Sequence, residues 1–209
     1  MQIYDLGPEE IEAKSFEILT EELAEKGMIL TGDTAPVIKR CIHTTADFEY
    51  ADSLVFSEGA IAKLKELIRS GADIVTDTNM GLSGINKKEL GKYGGEVICY
   101  MADEDVAREA KERGITRASV SMERAMEKTK PLIFAIGNAP TALITLYNAY
   151  KEGRYTPPFI IGVPVGFVNV EAAKELVIGT DIPHIVNRGR KGGSNVAAAI
   201  CNAVLYSMR

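Results

Sequence analysis

Two histidines occur in the chain, His43 and His184, and His43 is the one whose neighbours suggest chemistry. Arg40 precedes it by three positions, so on a helix the two side chains share a face. Histidine changes charge near neutral pH more readily than other side chains, which suits it to general acid or base work. At a helix end it serves equally well to cap or to pack. Cys41, two positions away, points about 160° around the same helix. No Ser/His/Asp spacing for a nucleophilic triad is present. His184 follows Pro183 at the head of an apolar run and reads as structural.

A second candidate is the stretch Arg188-Gly189-Arg190-Lys191-Gly192-Gly193-Ser194. Three cations precede two glycines, and a helix follows. The free N–H groups and positive end of that helix favour an anion, and glycines let the backbone approach a ligand closely. The plainer reading makes Ser194 an N-cap and the cations a solvated loop. Three further loops are rich in Gly, Asn, Pro and charge: Asp77 to Gly81, which includes Met80; Gly137 to Thr141, with Asn138, Ala139 and Pro140; and Pro164 to Phe167, with Gly166. No GxGxxG follows the early strands and no GxxxxGK[ST] occurs, which argues against dinucleotide and P-loop binding.

Each of these loops follows an apolar segment of strand length, and the elements that must position them follow from the pattern. Helices are expected over about Pro8–Lys26, from Asp33 or Thr34 through Ile42, over Gly59–Arg69, near Lys87–Lys92, over Asp103–Lys128 with a break at Gly114, and over Pro140–Lys151, Val170–Val177 and Gly193–Tyr206. Strands are expected at Ser53–Phe56, Asp73–Thr76, Glu96–Met101, Leu132–Ile136, Phe159–Val163 and His184–Val186. Runs such as LIFAI and FIIGV suit strands covered on both faces. The alternation predicts an α/β fold: a doubly wound, mostly parallel sheet with helices on both faces. Ligands of such sheets sit at the carboxyl ends of the strands, near a switch in strand order.

The 209 residues read as a single domain over 1–209. Hydrophobic residues make up 46% and charged residues 25%, which excludes disorder and coiled coil. No apolar run approaches the ~20 residues of a membrane span, and Met1 to Glu12 is acidic with no basic-then-apolar leader. A cytoplasmic protein with no membrane partner is the expectation. The net charge of −5 disfavours nucleic acid. Local clusters at Lys39–Arg40 and Arg188–Lys191 leave room for an anionic small molecule. The three cysteines, Cys41, Cys99 and Cys201, are unpaired in spacing and suit packing in a reducing compartment rather than disulfides or a metal.

Taken together, these segments resemble the precorrin-8X methylmutase family of corrin biosynthesis, also called cobalt-precorrin-8 methylmutase. The resemblance covers nearly the whole chain. It is carried by Ser15-Phe16, by Arg40 and His43, by Asp77, by Glu96-Val97-Ile98-Cys99, and most specifically by Ala135 to Leu143, Pro164 to Val168 and Arg188 to Ser194. It implies an isomerase that moves a methyl group from C-11 to C-12 of the macrocycle to give hydrogenobyrinate, or cobyrinate where cobalt is present. It implies His43 as the catalytic residue, donating a proton as general acid. It implies substrate contacts from Ser15, Arg40, Thr44, Asp77, Met80, Asn138, Ala139, Thr141, Gly166, Phe167, Arg188, Arg190, Lys191, Gly192, Gly193 and Ser194. The shift is a sigmatropic rearrangement and requires no cofactor; any cobalt belongs to the substrate. A corrinoid substrate, a homodimer with active sites near the subunit interface, and handover of product to the next biosynthetic enzyme complete the expectation. The alternatives are a noncatalytic corrinoid carrier and an α/β enzyme acting on a phosphorylated small molecule.

Overall fold

The computed structural model describes residues 6–209; Met1–Asp5, the start of the acidic N-terminal stretch, lie outside them. The chain begins with helix α1 (Pro8–Glu25), where Glu10 reaches back to accept from the Gly7 N–H at 2.8 Å. Helix α2 (Ala35–Thr45) and a short turn α3 (Tyr50–Ser53) lead into strand β1 (Leu54–Phe56). Then come α4 (Ala60–Arg69), β2 (Asp73–Thr76), the short helices α5 (Asn79–Gly84) and α6 (Lys87–Gly91), and β3 (Val97–Ile98). The second half runs α7 (Glu104–Arg113), α8 (Arg117–Met126), β4 (Leu132–Ile136), α9 (Pro140–Lys151), β5 (Phe159–Gly162), α10 (Val170–Ile178), β6 (His184–Asn187) and α11 (Ser194–Tyr206).

The strands form one sheet in the order β1-β6-β5-β4-β2-β3. All pairs are parallel except β1 with β6, an antiparallel edge. The period of two along each strand sorts its side chains between two cores. Ile133, Ala135, Phe159, Ile161 and Ile185 face the layer containing α1, α2, α4 and α11. Leu132, Phe134, Ile136, Ile160 and Val186 face α8, α9 and α10. The expected doubly wound fold is therefore present.

Two local expectations are corrected. The segment read as a strand from Glu96 to Met101 is extended only at Val97–Ile98, because this edge strand pairs with no more of β2 than Ile74 and Val75. The stretch after β2, read as a loop, coils into α5, with the Thr78 hydroxyl accepting from the Gly81 N–H at 3.0 Å.

Strand order reverses between β2 and β4, since the chain leaves β2 for the β3 edge and returns on the other side. A parallel sheet ordinarily opens a ligand crevice there. Here the chain itself closes it. The buried Asp77 carboxylate accepts from the backbone N–H groups of Gly137, Asn138 and Ala139 at 2.9, 2.8 and 2.6 Å. The start of α11 packs so closely over Gly137 that a Cβ there would lie 2.5 Å from Ser194 Cα. The Thr78 and Ser194 hydroxyls share a hydrogen bond of 2.7 Å across the same point.

Candidate active site

With the switch-point crevice closed, a groove remains along α11, walled on its other side by α2 and Gly84. Helix α2 buries Val37, Ile38, Cys41 and Ile42. That leaves Arg40, His43 and Thr44 on the other side of the helix, as their spacing requires. The left-handed Ala46 ends the helix just beyond them. Burial pushes the Cys41 and Cys201 thiols up to about 12, so both pack as neutral groups.

His43 is exposed and stacks on Phe16 of α1, with ring centroids 5.0 Å apart and planes 10° from parallel. The Arg40 guanidinium lies 4.7 Å from the Phe16 ring centre and 5.5 Å from that of Tyr206. Glu12 binds Arg40 at 2.5 Å, so the positive charge beside His43 has a carboxylate opposite it. His43 stands on the rim between two hollows. One, of about 290 Å³, is lined by Arg40, Thr44, Gly84 and an α11 face that includes Asn195, Asn202 and Tyr206. The other, of about 400 Å³, includes Ser15, whose hydroxyl donates to the Ile11 carbonyl at 2.9 Å. A polar residue flanked by an apolar ring and two open hollows can present a proton to one face of a flat ligand.

The four candidate loops form one connected edge. Gly166 N–H donates to the Arg190 carbonyl at 3.1 Å, and the Arg190 guanidinium lies 5.6 Å from the centre of the Phe167 ring. Lys191 reaches the α2–α3 connection, where it binds Asp47 at 2.6 Å and Glu49 at 2.7 Å. Gly192 runs with φ +157° so close to β5 that a Cβ would lie 2.1 Å from the Val163 carbonyl oxygen, and Gly193 likewise has a positive φ. Met80 and Phe167 are exposed, 68% and 82%, on this edge. Thr141 shares a 2.9 Å hydrogen bond with Thr116 at the start of α9.

Two expectations change in detail. The surplus of positive charge is answered locally: Arg188 binds Glu175 at 3.2 Å and Arg190 binds Glu171 at 3.0 Å, both from α10, and Lys191 has Asp47 and Glu49. Exposed pairs of this kind contribute about 0–1 kcal/mol each, so a polycarboxylate ligand can exchange for them. Asp77 has its carboxylate engaged by backbone N–H groups rather than turned to a ligand. Burial holds this carboxyl above the usual carboxylate range, against the three backbone N–H donors, which favour its ionised form.

Sequence reasoning passed over α11 and Lys174. Asn195, Ala198, Ala199, Asn202 and Tyr206 recur at helical spacing in an otherwise apolar helix, a polar and small stripe that marks a groove. Lys174 falls within the buried set of α10 with Val170, Ala173 and Val177. Its ammonium donates to the carbonyls of Gly189 and Lys191 at 2.7 and 2.8 Å. Burial pushes its pKa down to about 8.

Residues 10–207 match the precorrin-8X methylmutase family. The chain belongs to that family. Its members are isomerases that shift a methyl group on the corrin macrocycle in cobalamin biosynthesis. The cobalt-precorrin-8 methylmutase of Priestia megaterium is 45% identical, covering 94% of this chain and 87% of that protein. That of Salmonella typhimurium is 44% identical, covering 97% and 96%. The crystal structure of the Thermus thermophilus precorrin-8x methyl mutase superposes with a TM-score of 0.83 at 36% identity, over 94% of this chain and 96% of that one. Among the described residues of this methylmutase family member, no helix is long and apolar enough to cross a membrane.

Proposed function

We propose that this chain isomerises cobalt-precorrin-8 to cobyrinate with His43 as general acid, working as a homodimer. The observation that carries the reading is the place of His43: exposed, stacked on Phe16, and on the rim of two hollows with Arg40 beside it. Protonating a ring nitrogen makes the conjugated macrocycle more electron-poor and favours methyl migration. General acid catalysis of this kind contributes about 10²–10⁴-fold, roughly 3–5 kcal/mol. The remainder of the acceleration comes from holding the ring geometry. Arg40, Arg188, Arg190 and Lys191 are the partners for peripheral carboxylates, and Met80, Gly166 and Phe167 form apolar wall. Ser15, Thr44, Asn138, Ala139, Thr141, Gly192, Gly193 and Ser194 complete the contacts, with Asp77 acting through the loop it holds.

Cobalt-precorrin-8 is preferred as substrate because the relatives at 45% and 44% identity are named for it. The homodimer is what the family resemblance implies, and the size of the site is consistent with it. The groove beside His43, about 290 Å³, is at the lower end of the roughly 300–1,000 Å³ that ligand pockets span, while a corrinoid exceeds a drug-sized ligand. A second copy supplies the missing wall, and the exposed Val165, Phe167 and Val168 give it apolar surface to meet. Retained product would then pass directly to the next enzyme of the pathway.

The deciding experiment incubates the protein separately with precorrin-8 and cobalt-precorrin-8. Isomerisation leaves the mass unchanged and alters the absorbance spectrum. Multiple turnovers on the cobalt form are expected. Binding without turnover would leave a carrier, and no corrinoid binding would return the phosphorylated-ligand reading. Light scattering at micromolar protein should give twice the chain mass of 22.7 kDa.

A further inference from the structure

We propose that Lys174 is a positioning residue for the methylmutase reaction: it fixes the peptide planes of the 188–192 loop so that the loop's amides are presented to a substrate carboxylate. The proposal rests on the reading that this loop faces the corrinoid. Lys174 is fully buried, with 0% of its surface exposed. Among the described residues no carboxylate lies within ion-pair distance of it, Glu171 acting only from farther off; its hydrogen-bond partners are the carbonyls of Gly189 and Lys191. Neighbouring donors take two more carbonyls of the loop and share that of Lys191. The Asn187 side-chain amide donates to those of Arg188 and Lys191 at 3.1 and 2.9 Å, and Gly166 N–H donates to that of Arg190.

Four successive carbonyls are thus held by donors from the body of the protein. In a trans peptide the N–H of the next residue points opposite to the carbonyl, and the described chain contains no cis peptide. The amides of Arg190 and Gly192 therefore point away from Lys174. Arg188 N–H is taken by the Ser53 carbonyl and Gly193 N–H by that of Val163, whereas the amides of residues 189–192 have no acceptor among the described residues. An apolar residue among Val170, Ala173 and Val177 would pack without the desolvation that a buried ammonium suffers. The lowered pKa of Lys174 records that desolvation. What the lysine adds over an apolar side chain is its pair of bonds to the loop.

The test is Lys174→Met, which keeps length and removes the donor. Product affinity is read by absorbance titration with cobyrinate and with fully methyl-esterified cobyrinate, and kcat and KM are measured with cobalt-precorrin-8. The expected result is about tenfold weaker cobyrinate binding and a matching rise in KM, the size set by losing hydrogen bonds to a charged donor, with kcat within about threefold of wild type. Esterified product should bind both proteins equally. Unchanged cobyrinate affinity, an equal loss for the ester, or a loss confined to kcat would overturn the proposal. A measurement on the unaltered protein guards against a variant that does not fold: the Arg190 and Gly192 amide resonances should move when cobyrinate is added, and their staying in place would also overturn it. Failure of the unaltered protein to bind cobyrinate or convert cobalt-precorrin-8 would instead remove the reading beneath.

Discussion

Asp77→Asn tests whether one carboxylate closes the switch point and sets the wall of the site. In the native structure one oxygen accepts from Gly137 N–H at 2.9 Å, and the other accepts from Asn138 and Ala139 N–H at 2.8 and 2.6 Å. An asparagine keeps a single carbonyl oxygen. Placed on the two-bond side, it turns its NH₂ toward Gly137 N–H, donor against donor. One hydrogen bond to a charged group, about 1.5–3 kcal/mol, is lost, and the other two weaken to neutral bonds at roughly half the strength. These losses come to about 3–6 kcal/mol, and the neutral amide escapes the desolvation that the buried carboxylate suffers, so the expected cost is at the lower end, about 3 kcal/mol. For a chain of this size that lowers the melting temperature by about 6–12 °C. Urea unfolding at neutral pH, followed by circular dichroism, reads the change directly. Because Gly137 packs against Ser194 with no space for a Cβ, movement of this loop should carry the start of α11 with it and raise KM as well. A variant within ~0.5 kcal/mol of wild type, the scatter of ordinary surface substitutions, would refute the account of Asp77 as the tie between β2 and β4.

Three further outcomes are expected. His43→Asn should bind cobyrinate normally and isomerise cobalt-precorrin-8 at least ~10²-fold more slowly, the lower limit for loss of a general acid; near-normal turnover would end the assignment. His184 is buried and its Nδ1–H donates to the Ile182 carbonyl at 2.7 Å; burial pushes its pKa down, below the usual 6.5. A base with a depressed folded pKa leaves the unfolded chain holding more protons below about pH 6.5, so stability is full above that value and is lost progressively as pH falls from it to the folded pKa. The urea midpoint of wild type should therefore drop between about pH 7.5 and 5.5, and that of His184→Asn should drop less; equal slopes would contradict the sign. Cobyrinate binding should weaken as salt rises, and Arg188→Ala or Lys191→Ala should weaken it further, since these pairs are exposed and screened. An affinity indifferent to salt would exclude carboxylate–cation exchange at this edge.

Local physics is legible in a sequence because it depends on neighbours a few positions away. The apolar runs at Leu132–Ile136 and Asp73–Thr76, the proline that opens α9 and the glycine that ends α7 each act over one or two turns, and these elements fall where the pattern places them. The shared face of Arg40 and His43 is of the same kind, since helical spacing alone sets it. The family resemblance, too, rested on residues in order along the chain, and the match over residues 10–207 agrees with it. Tertiary structure decided the rest. Strand order alone brought Asp77 to Gly137, 60 positions on, and turned an expected ligand contact into a brace across the sheet. The packing of α10 against the 188–192 loop gave Arg188 and Arg190 their glutamate partners and buried Lys174 beneath it. The polar stripe of α11 acquired meaning only when α2 and α5 were laid alongside it to form the groove at His43. A buried charge, a closed crevice and a paired cation each depend on which distant groups share the space, and spacing along the chain does not encode that.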